Sequence, residues 1–198
     1  MSLLVRYVSL VLFCCLLAAC GGDKATRPPT VPPPAPVADP SQVGWAATPG
    51  GLTLHLITSI NLNEVEATPL GLSLCVYQVA DLNRFNALAN TATGLDILQG
   101  CTVDTVDAAA AKRFWLQPGA YQEVVMDRAE RAKNLAVVAG YAHLKPDLSA
   151  AVFPFLLHSE KEGYIPFFRT TVYSAANMDI IINLTDVAVS IKGAEREQ

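Results

Sequence analysis

The stretch LTLHLITSINL, residues 52–62, alternates between two kinds of side chain. Side chains of an extended strand point to opposite faces in turn, so the even positions share one face. That face carries Leu52, Leu54, Leu56, Thr58 and Ile60, and the other carries Thr53, His55, Ile57 and Ser59. The pattern predicts a β-strand with one strongly apolar face.

Short apolar runs separated by turn residues continue along the chain. LGLSLCVYQV, residues 70–79, predicts a second strand, and LAVVAGYAHL, residues 135–144, predicts a central one. Further strands are predicted at residues 113–116, 121–126, 150–157, 167–173 and 178–191, the last interrupted near residue 186. About eight short strands of this kind favour an all-β fold, an antiparallel β-sandwich.

Helical signals are few and short. Asp81 can cap a helix that places Leu82, Phe85 and Leu88 on one side, and a further helical turn is expected around residues 95–98. Residues 127–130 have the D-x-x-E form of a capping box, which predicts another helical turn. The Gln117-Pro118-Gly119 sequence predicts a tight reversal between two strands. The helices form a short insertion in a β fold.

The first residues resemble a secretion signal. Arg6 is the only charge before an apolar run, and small residues precede Cys20. The apolar run is shorter than the roughly 20 residues that span a bilayer. Leu17-Ala18-Ala19-Cys20 resembles the bacterial lipobox, which implies acyl chains on Cys20 and loss of residues 1–19 with the signal. The alternatives are an ordinary signal peptide with Cys20 as a free thiol, or an uncleaved anchor.

A proline-rich segment follows the cysteine. Residues 28–40 contain seven prolines in thirteen positions, a composition that favours polyproline II and a semi-rigid spacer. A proline-rich recognition motif is the alternative. We therefore divide the chain into a signal peptide (1–19), a lipidated cysteine with its tether (20–44) and a β-sandwich domain (45–198).

Charge limits the partners. Removal of Arg6 leaves 13 basic against 18 acidic residues, a net charge of −5. A mildly acidic domain without a basic cluster argues against nucleic acid as a partner. Two cysteines, Cys75 and Cys101, remain in the domain, where they can form a disulfide in an oxidising periplasm. The alternative is that Cys75 is a buried free thiol, and the spacing does not decide between the two.

The sequence contains no recognised catalytic or metal-binding motif. It has no GxSxG, P-loop or GxGxxG motif, and no histidine has a second ligand at metal-site spacing. His55 and His143 are expected on the polar faces of strands, and His158 near a strand end. The acids Glu64, Glu66, Asp104 and Asp107 are expected in solvated loops. The sequence therefore predicts no enzyme, no metal and no cofactor.

Several short motifs occur in the order found in one family. Leu62-Asn63 is followed by a short loop, by the strand Gly71 to Val79 with its Tyr77-Gln78 pair, and by the Asp81 helix with Phe85. Leu116-Gln117-Pro118-Gly119 and Val137-Val138-Ala139-Gly140-Tyr141 come next. This series resembles the type VI secretion outer-membrane lipoproteins of the TssJ/VasD family. The resemblance covers about residues 52–144, and residues 90–112, which carry Cys101, are left without an assigned role.

The resemblance implies a transthyretin-like β-sandwich held to the periplasmic face of the outer membrane by acyl chains on Cys20. It also implies binding to the periplasmic C-terminal region of an inner-membrane TssM-like protein. The implied binding loop lies between the first two strands and consists of Asn63, Glu64, Val65, Glu66, Ala67, Thr68, Pro69 and Leu70. The expected function is that of a structural adaptor. A ligand-binding or sensing lipoprotein is the first alternative, and an unrecognised periplasmic hydrolase is the second.

Overall fold

The computed structural model describes residues 32–164 and 166–196. The signal peptide and Cys20 lie outside these residues. The described part contains ten strands: β1 (Thr48–Thr58), β2 (Leu72–Val79), β3 (Ala108–Leu116), β4 (Tyr121–Arg128), β5 (Asn134–Ala139), β6 (Ala150–Pro154), β7 (Leu157–Glu162), β8 (Thr170–Ala175), β9 (Met178–Leu184) and β10 (Val189–Glu195). It also contains four short helices: α1 (Asn83–Ala89), α2 (Ala92–Leu98), α3 (Val103–Val106) and α4 (Pro146–Ser149).

Eight of the strands form two four-stranded sheets, in the orders β10-β9-β1-β4 and β3-β2-β5-β6, and β7 pairs with β8 in a separate hairpin. The pairings are antiparallel except for β1 with β9, which run parallel. The predicted all-β sandwich with a short helical insertion is confirmed. The parallel pair arises because the chain reaches β9 after crossing from the other sheet.

The core between the sheets comes from alternate residues of the strands, as the pattern of residues 52–62 predicts. Leu52, Leu54 and Leu56 are completely buried. They pack against residues from both sheets: Leu72, Leu74, Val76, Leu135, Val137, Ile180 and Ile182. Burial of one such side chain contributes about 1.5–3 kcal/mol, so this layer supplies most of the driving force for folding.

A second core lies on the other face of the β3-β2-β5-β6 sheet. Tyr77 and Val138 are fully buried there, under Phe85 of α1 and Leu95 of α2. The helices thus form a third layer, which explains why β2 is apolar on both faces. The structure joins Cys75 of β2 to Cys101, between α2 and α3, in a disulfide with a Cα–Cα distance of 5.6 Å.

Three local expectations were wrong. β1 ends at Thr58, and Ile60 lies outside the strand with 74% of its surface exposed. No helical turn follows Asp127, because β4 continues to Arg128 and the Asp127 carboxylate accepts a hydrogen bond from the Gly50 amide at 2.8 Å. His143 does not lie in a strand, since β5 ends at Ala139 and His143 is exposed in the loop that follows.

Other boundaries moved by a few residues. The strand expected at 113–116 begins earlier, at Ala108, and the turn expected at 95–98 is a helix from Ala92, where the Thr91 hydroxyl accepts from the Gly94 amide. The strand expected at 150–157 is divided between β6 and β7, and Phe167 lies in a 3₁₀ turn before β8.

The proline-rich segment contacts the domain from Pro33 onward. Val37 and Tyr173 of β8 exchange two backbone hydrogen bonds, at 3.0 and 2.7 Å. Nearby, Arg128 is buried and donates to the Ala176 carbonyl and the Thr48 hydroxyl. Burial lowers the pKa of Arg128, because the charged guanidinium is withdrawn from water.

Candidate partner-binding site

The loop between β1 and β2 is closed at its base by main-chain and apolar contacts. The Leu62 side chain is completely buried in the sandwich core. Its carbonyl accepts a hydrogen bond from the Leu70 amide at 3.0 Å, so the two ends of the predicted binding loop meet. The residues between them form a compact lobe on a rigid base, a frequent place for recognition.

The tip of the loop is a tight turn. Val65 and Thr68 exchange both of their backbone hydrogen bonds, at 3.0 and 2.9 Å. The central residues, Glu66 and Ala67, have φ angles of 49° and 59°. Positive φ at both central positions is the geometry of a type I′ turn. The tip is therefore held in one conformation even though neither central residue is glycine.

Asn63 fixes the lobe to the rest of the sandwich. It is 7% exposed, and its amide oxygen accepts from the Ala142 amide at 2.7 Å. Its amide nitrogen donates to the Gly71 carbonyl at 3.4 Å. The residue has a φ of 50°, a conformation that asparagine tolerates better than most residues. Asn63 thus holds the loop in place and offers little surface to a partner.

The remaining seven residues of the predicted loop face outward. Val65 is half-buried, and the others are exposed: Glu64, Glu66, Ala67, Thr68, Pro69 and Leu70. Among the ion pairs of the described residues, none involves Glu64 or Glu66. The loop therefore presents two free carboxylates beside the apolar side chain of Leu70.

Three other loops meet the binding loop at the same end of the sandwich. The Gly119 amide donates to the Ser59 carbonyl, and the Tyr141 hydroxyl donates to the Thr185 carbonyl at 3.3 Å. Burial and the neighbouring Asp186 carboxylate raise the pKa of Tyr141. We call this end, formed by residues 59–71, 117–120, 140–145 and 185–188, the loop pole.

The loop pole carries exposed apolar residues both within the predicted binding loop and outside it. Ile60 and Val187 are 74% and 45% exposed, and Leu70 is 40% exposed. A cleft of about 200 Å³ lies beside them, lined by Asn63, Glu64, Tyr141, His143, Lys145, Asp186 and Val187. The exposure of Ile60 could have been predicted, because Ile60 lies between Ser59 and Asn61, two residues that favour turns. The strand alternation instead predicts a core position for Ile60.

The histidines of the described residues do not gather into a metal-binding cluster. In residues 32–164 and 166–196, no three His, Cys, Asp or Glu residues are arranged to hold a metal ion. His55 contacts Tyr121 on the outer face of a sheet, with 2.9 Å between Nδ1 and the hydroxyl, and His158 contacts Glu195. Asp104 lies in α3 and Asp107 follows it.

The described helices include none long and apolar enough to cross a membrane.

Comparison with known proteins defines the class. The arrangement of a β-sandwich with an outer helical layer matches TssJ1 of Pseudomonas aeruginosa, a type VI secretion lipoprotein, with a TM-score of 0.53 and 17% identity over 77% of this chain and 98% of that one. Serratia marcescens Lip, a membrane-bound component of the type VI secretion system, gives a TM-score of 0.52 and 14% sequence identity. The match covers 71% of this chain and 96% of that one. At these identities the likeness establishes the fold. A third structure, the TssM C-terminal domain (869–1107) from EAEC, gives a TM-score of 0.51 and 19% sequence identity. The match covers 71% of this chain and 96% of that one.

Residues 51–180 match the family model of type VI secretion lipoproteins, described as VasD, EvfM, TssJ and VC_A0113 (T6SS-SciN). The chain belongs to this family. A search of curated proteins gives no significant match. The predicted recognition of the TssJ/VasD family is confirmed, and with it the assignment as a membrane-associated secretion lipoprotein.

Proposed function

We propose that the protein is a structural adaptor of the type VI secretion membrane complex. Acyl chains on Cys20 hold it to the periplasmic face of the outer membrane, and its loop pole binds the periplasmic C-terminal region of an inner-membrane TssM-like protein. Membership of the type VI secretion lipoprotein family supports the setting. The observation that carries the binding proposal is the rigid, outward-facing lobe at residues 63–70.

The geometry of the lobe suits recognition. A turn fixed by two backbone hydrogen bonds loses little conformational entropy on binding. Ile60, Leu70 and Val187 supply apolar surface for the centre of an interface. Glu64 and Glu66 at its margin favour a partner with basic residues around an apolar surface.

The alternatives find less support in the structure. A small-molecule site usually encloses about 300–1,000 Å³. The cleft at the loop pole is smaller, about 200 Å³. In the part of the chain that the structure describes, no three His, Cys, Asp or Glu side chains are arranged to hold a metal ion for a hydrolase. A protein partner therefore fits this surface better than a small ligand or a substrate.

A double substitution tests the proposal. Ile60→Ser with Leu70→Ser removes apolar surface that is already exposed, so we expect the free energy of unfolding to change by about 0.5 kcal/mol or less per site. Binding to the TssM-like periplasmic region, measured by calorimetry, should weaken by about tenfold or more, since truncated interface anchors can cost about 2 kcal/mol. Ile97→Ser is the matched control, because Ile97 is 50% exposed and lies on α2, outside the loop pole.

The control should bind like the parent protein. Unchanged affinity in the double variant would place the partner surface away from the loop pole. Equal weakening in the double variant and in Ile97→Ser would show that binding responds to lost apolar surface in general and would also contradict the proposal.

A further inference from the structure

The β7–β8 hairpin carries an aromatic tip that no core contact explains. Every residue of β7 after Leu157 is exposed. At the tip, Tyr164, Phe167 and Phe168 are 106%, 94% and 79% exposed. Large aromatic side chains gathered on the surface in this way mark an interaction site.

The hairpin leaves the sandwich at the end opposite the loop pole. Its base is fixed there by the hydrogen bond from the Ala176 amide to the Leu156 carbonyl and by the contact of His158 with Glu195, the last residue of β10. β1 runs between the two ends for 11 residues, which corresponds to roughly 35 Å. The aromatic tip and the predicted binding loop therefore lie at opposite ends of the domain.

The segment that leads to the predicted anchor runs beside this hairpin. Val37 pairs with Tyr173 of β8 through two backbone hydrogen bonds. From Pro33 back to Cys20 the chain has thirteen residues, which span at most about 45 Å when fully extended. β8 and the turn before it extend only about 20 Å from Ala175 to Phe168. The anchor segment is therefore long enough for the tip to contact the bilayer that holds Cys20.

The chemistry of the tip suits a lipid surface. Aromatic rings are enriched at the boundary between lipid headgroups and hydrocarbon, and a tyrosine can keep its hydroxyl in water there. Arg169 follows the two phenylalanines and can pair with a lipid phosphate. An anchored chain also keeps the bilayer at high effective concentration, so that a contact of a few side chains is sufficient.

We propose that Tyr164, Phe167 and Phe168 insert into the phospholipid surface to which the protein is anchored. The proposal rests on the proposed anchoring through Cys20. The inserted tip is a second contact with the membrane, and it orients the sandwich so that the loop pole faces away from the bilayer.

Fluorescence quenching tests this contact. The full chain, purified with its membrane anchor, is reconstituted into vesicles of phosphatidylethanolamine and phosphatidylglycerol with brominated acyl chains, and vesicle-bound protein is recovered by flotation. Phe167→Trp places a probe at the tip, and Tyr121→Trp places a matched probe on a side chain that is 61% exposed near the loop pole. Emission is compared with that of the parent chain, which contains Trp45 and Trp115.

We expect the emission added by Phe167→Trp to be quenched and shifted to shorter wavelength, and that added by Tyr121→Trp to be unchanged. Protein that floats without quenching of the Phe167→Trp probe would overturn the tip contact and leave the anchor intact. Protein that does not float would contradict both the anchor and the tip contact. Quenching of both probes alike would show that the tip does not orient the domain.

Discussion

Asn63 decides the position of the binding loop because it joins two otherwise separate loops. Its amide bridges the Ala142 amide and the Gly71 carbonyl, and its backbone has a positive φ. The family resemblance implies that Asn63 is one of the partner contacts, since the residue lies inside the implied binding loop. Asn63 is buried, and its hydrogen bonds hold in place the other seven loop residues, six of which are exposed.

Two substitutions separate the side-chain and backbone contributions of Asn63. Asn63→Gly removes the hydrogen bonds but accepts the positive φ, so it should destabilise the fold by about 1–3 kcal/mol. Asn63→Ala should cost about 1–2 kcal/mol more, because alanine is strained in the left-handed region. Urea unfolding with an unchanged m-value measures both. Equal midpoints for the two variants would contradict the assigned backbone strain.

For single residues, the sequence predicts burial correctly where a periodic pattern continues. The prediction fails where the pattern stops. The alternation correctly placed Leu52, Leu54 and Leu56 in the core. It failed for Ile60, because a tight turn begins at Ser59 and the alternation of an extended chain no longer applies. The exposed Phe167 was missed for a similar reason, since aromatic residues favour strands and the turn before β8 has no strong sequence signal.

At the scale of elements, tertiary pairing overrides local preference. Ala108 to Ala111 is a run of strong helix formers, yet it forms the first part of β3 because it pairs with β2. The capping-box pattern at Asp127 is likewise overridden by pairing of β4 with β1. Neither contact can be read from the local sequence, because the partners lie far away in the chain.

The helical layer depends on one covalent link. The disulfide joins Cys75 in β2 to Cys101, with 26 residues of separation that include α1 and α2. It attaches the insertion to the central sheet beside the apolar contacts of Phe85 and Leu95. Of residues 90–112, which the sequence left without a role, residues 90–107 therefore cover the outer face of the sheet, and residues 108–112 begin β3.

Removal of this link should loosen the layer and leave the sandwich folded. A loop of this size stabilises a fold by about 3.5 kcal/mol in the chain-entropy model. We expect the double variant Cys75→Ala, Cys101→Ala to lose up to about that amount in urea unfolding, with faster amide exchange in α1 and α2. Reductant should destabilise the parent protein and leave the double variant unchanged. An equal response of both proteins to reductant would contradict the disulfide.

At the scale of the whole molecule, the described domain has two ends of different surface chemistry. The loop pole carries the acidic and apolar lobe, and the opposite end carries the aromatic hairpin beside the segment that leads toward Cys20. The motifs of the loop pole could be recognised from the sequence because they are short and local. The separation of the two ends could not be predicted, since it depends on the direction in which β1 and β9 run through the sandwich.

This separation predicts that membrane attachment and partner binding can be lost independently. Cys20→Ser should remove the acyl chains, each methylene of which contributes about 0.8 kcal/mol to membrane binding, and should release the protein from the outer-membrane fraction. Cys14→Ser and Cys15→Ser are matched controls, because both cysteines precede the predicted cleavage site, and we expect normal localisation. Cell fractionation and the mass of the mature N-terminus measure attachment.

The Cys20→Ser protein should still bind the TssM-like periplasmic region with the affinity of the parent chain, because the loop pole and the hairpin end lie at opposite ends of β1. Secretion should nevertheless fail, since an adaptor without its anchor cannot connect the complex to the outer membrane. Retention of Cys20→Ser in the outer membrane would place the anchor elsewhere in the chain. Loss of partner binding together with attachment would show that the two ends are coupled, and would contradict a division of the molecule into a membrane end and a partner end.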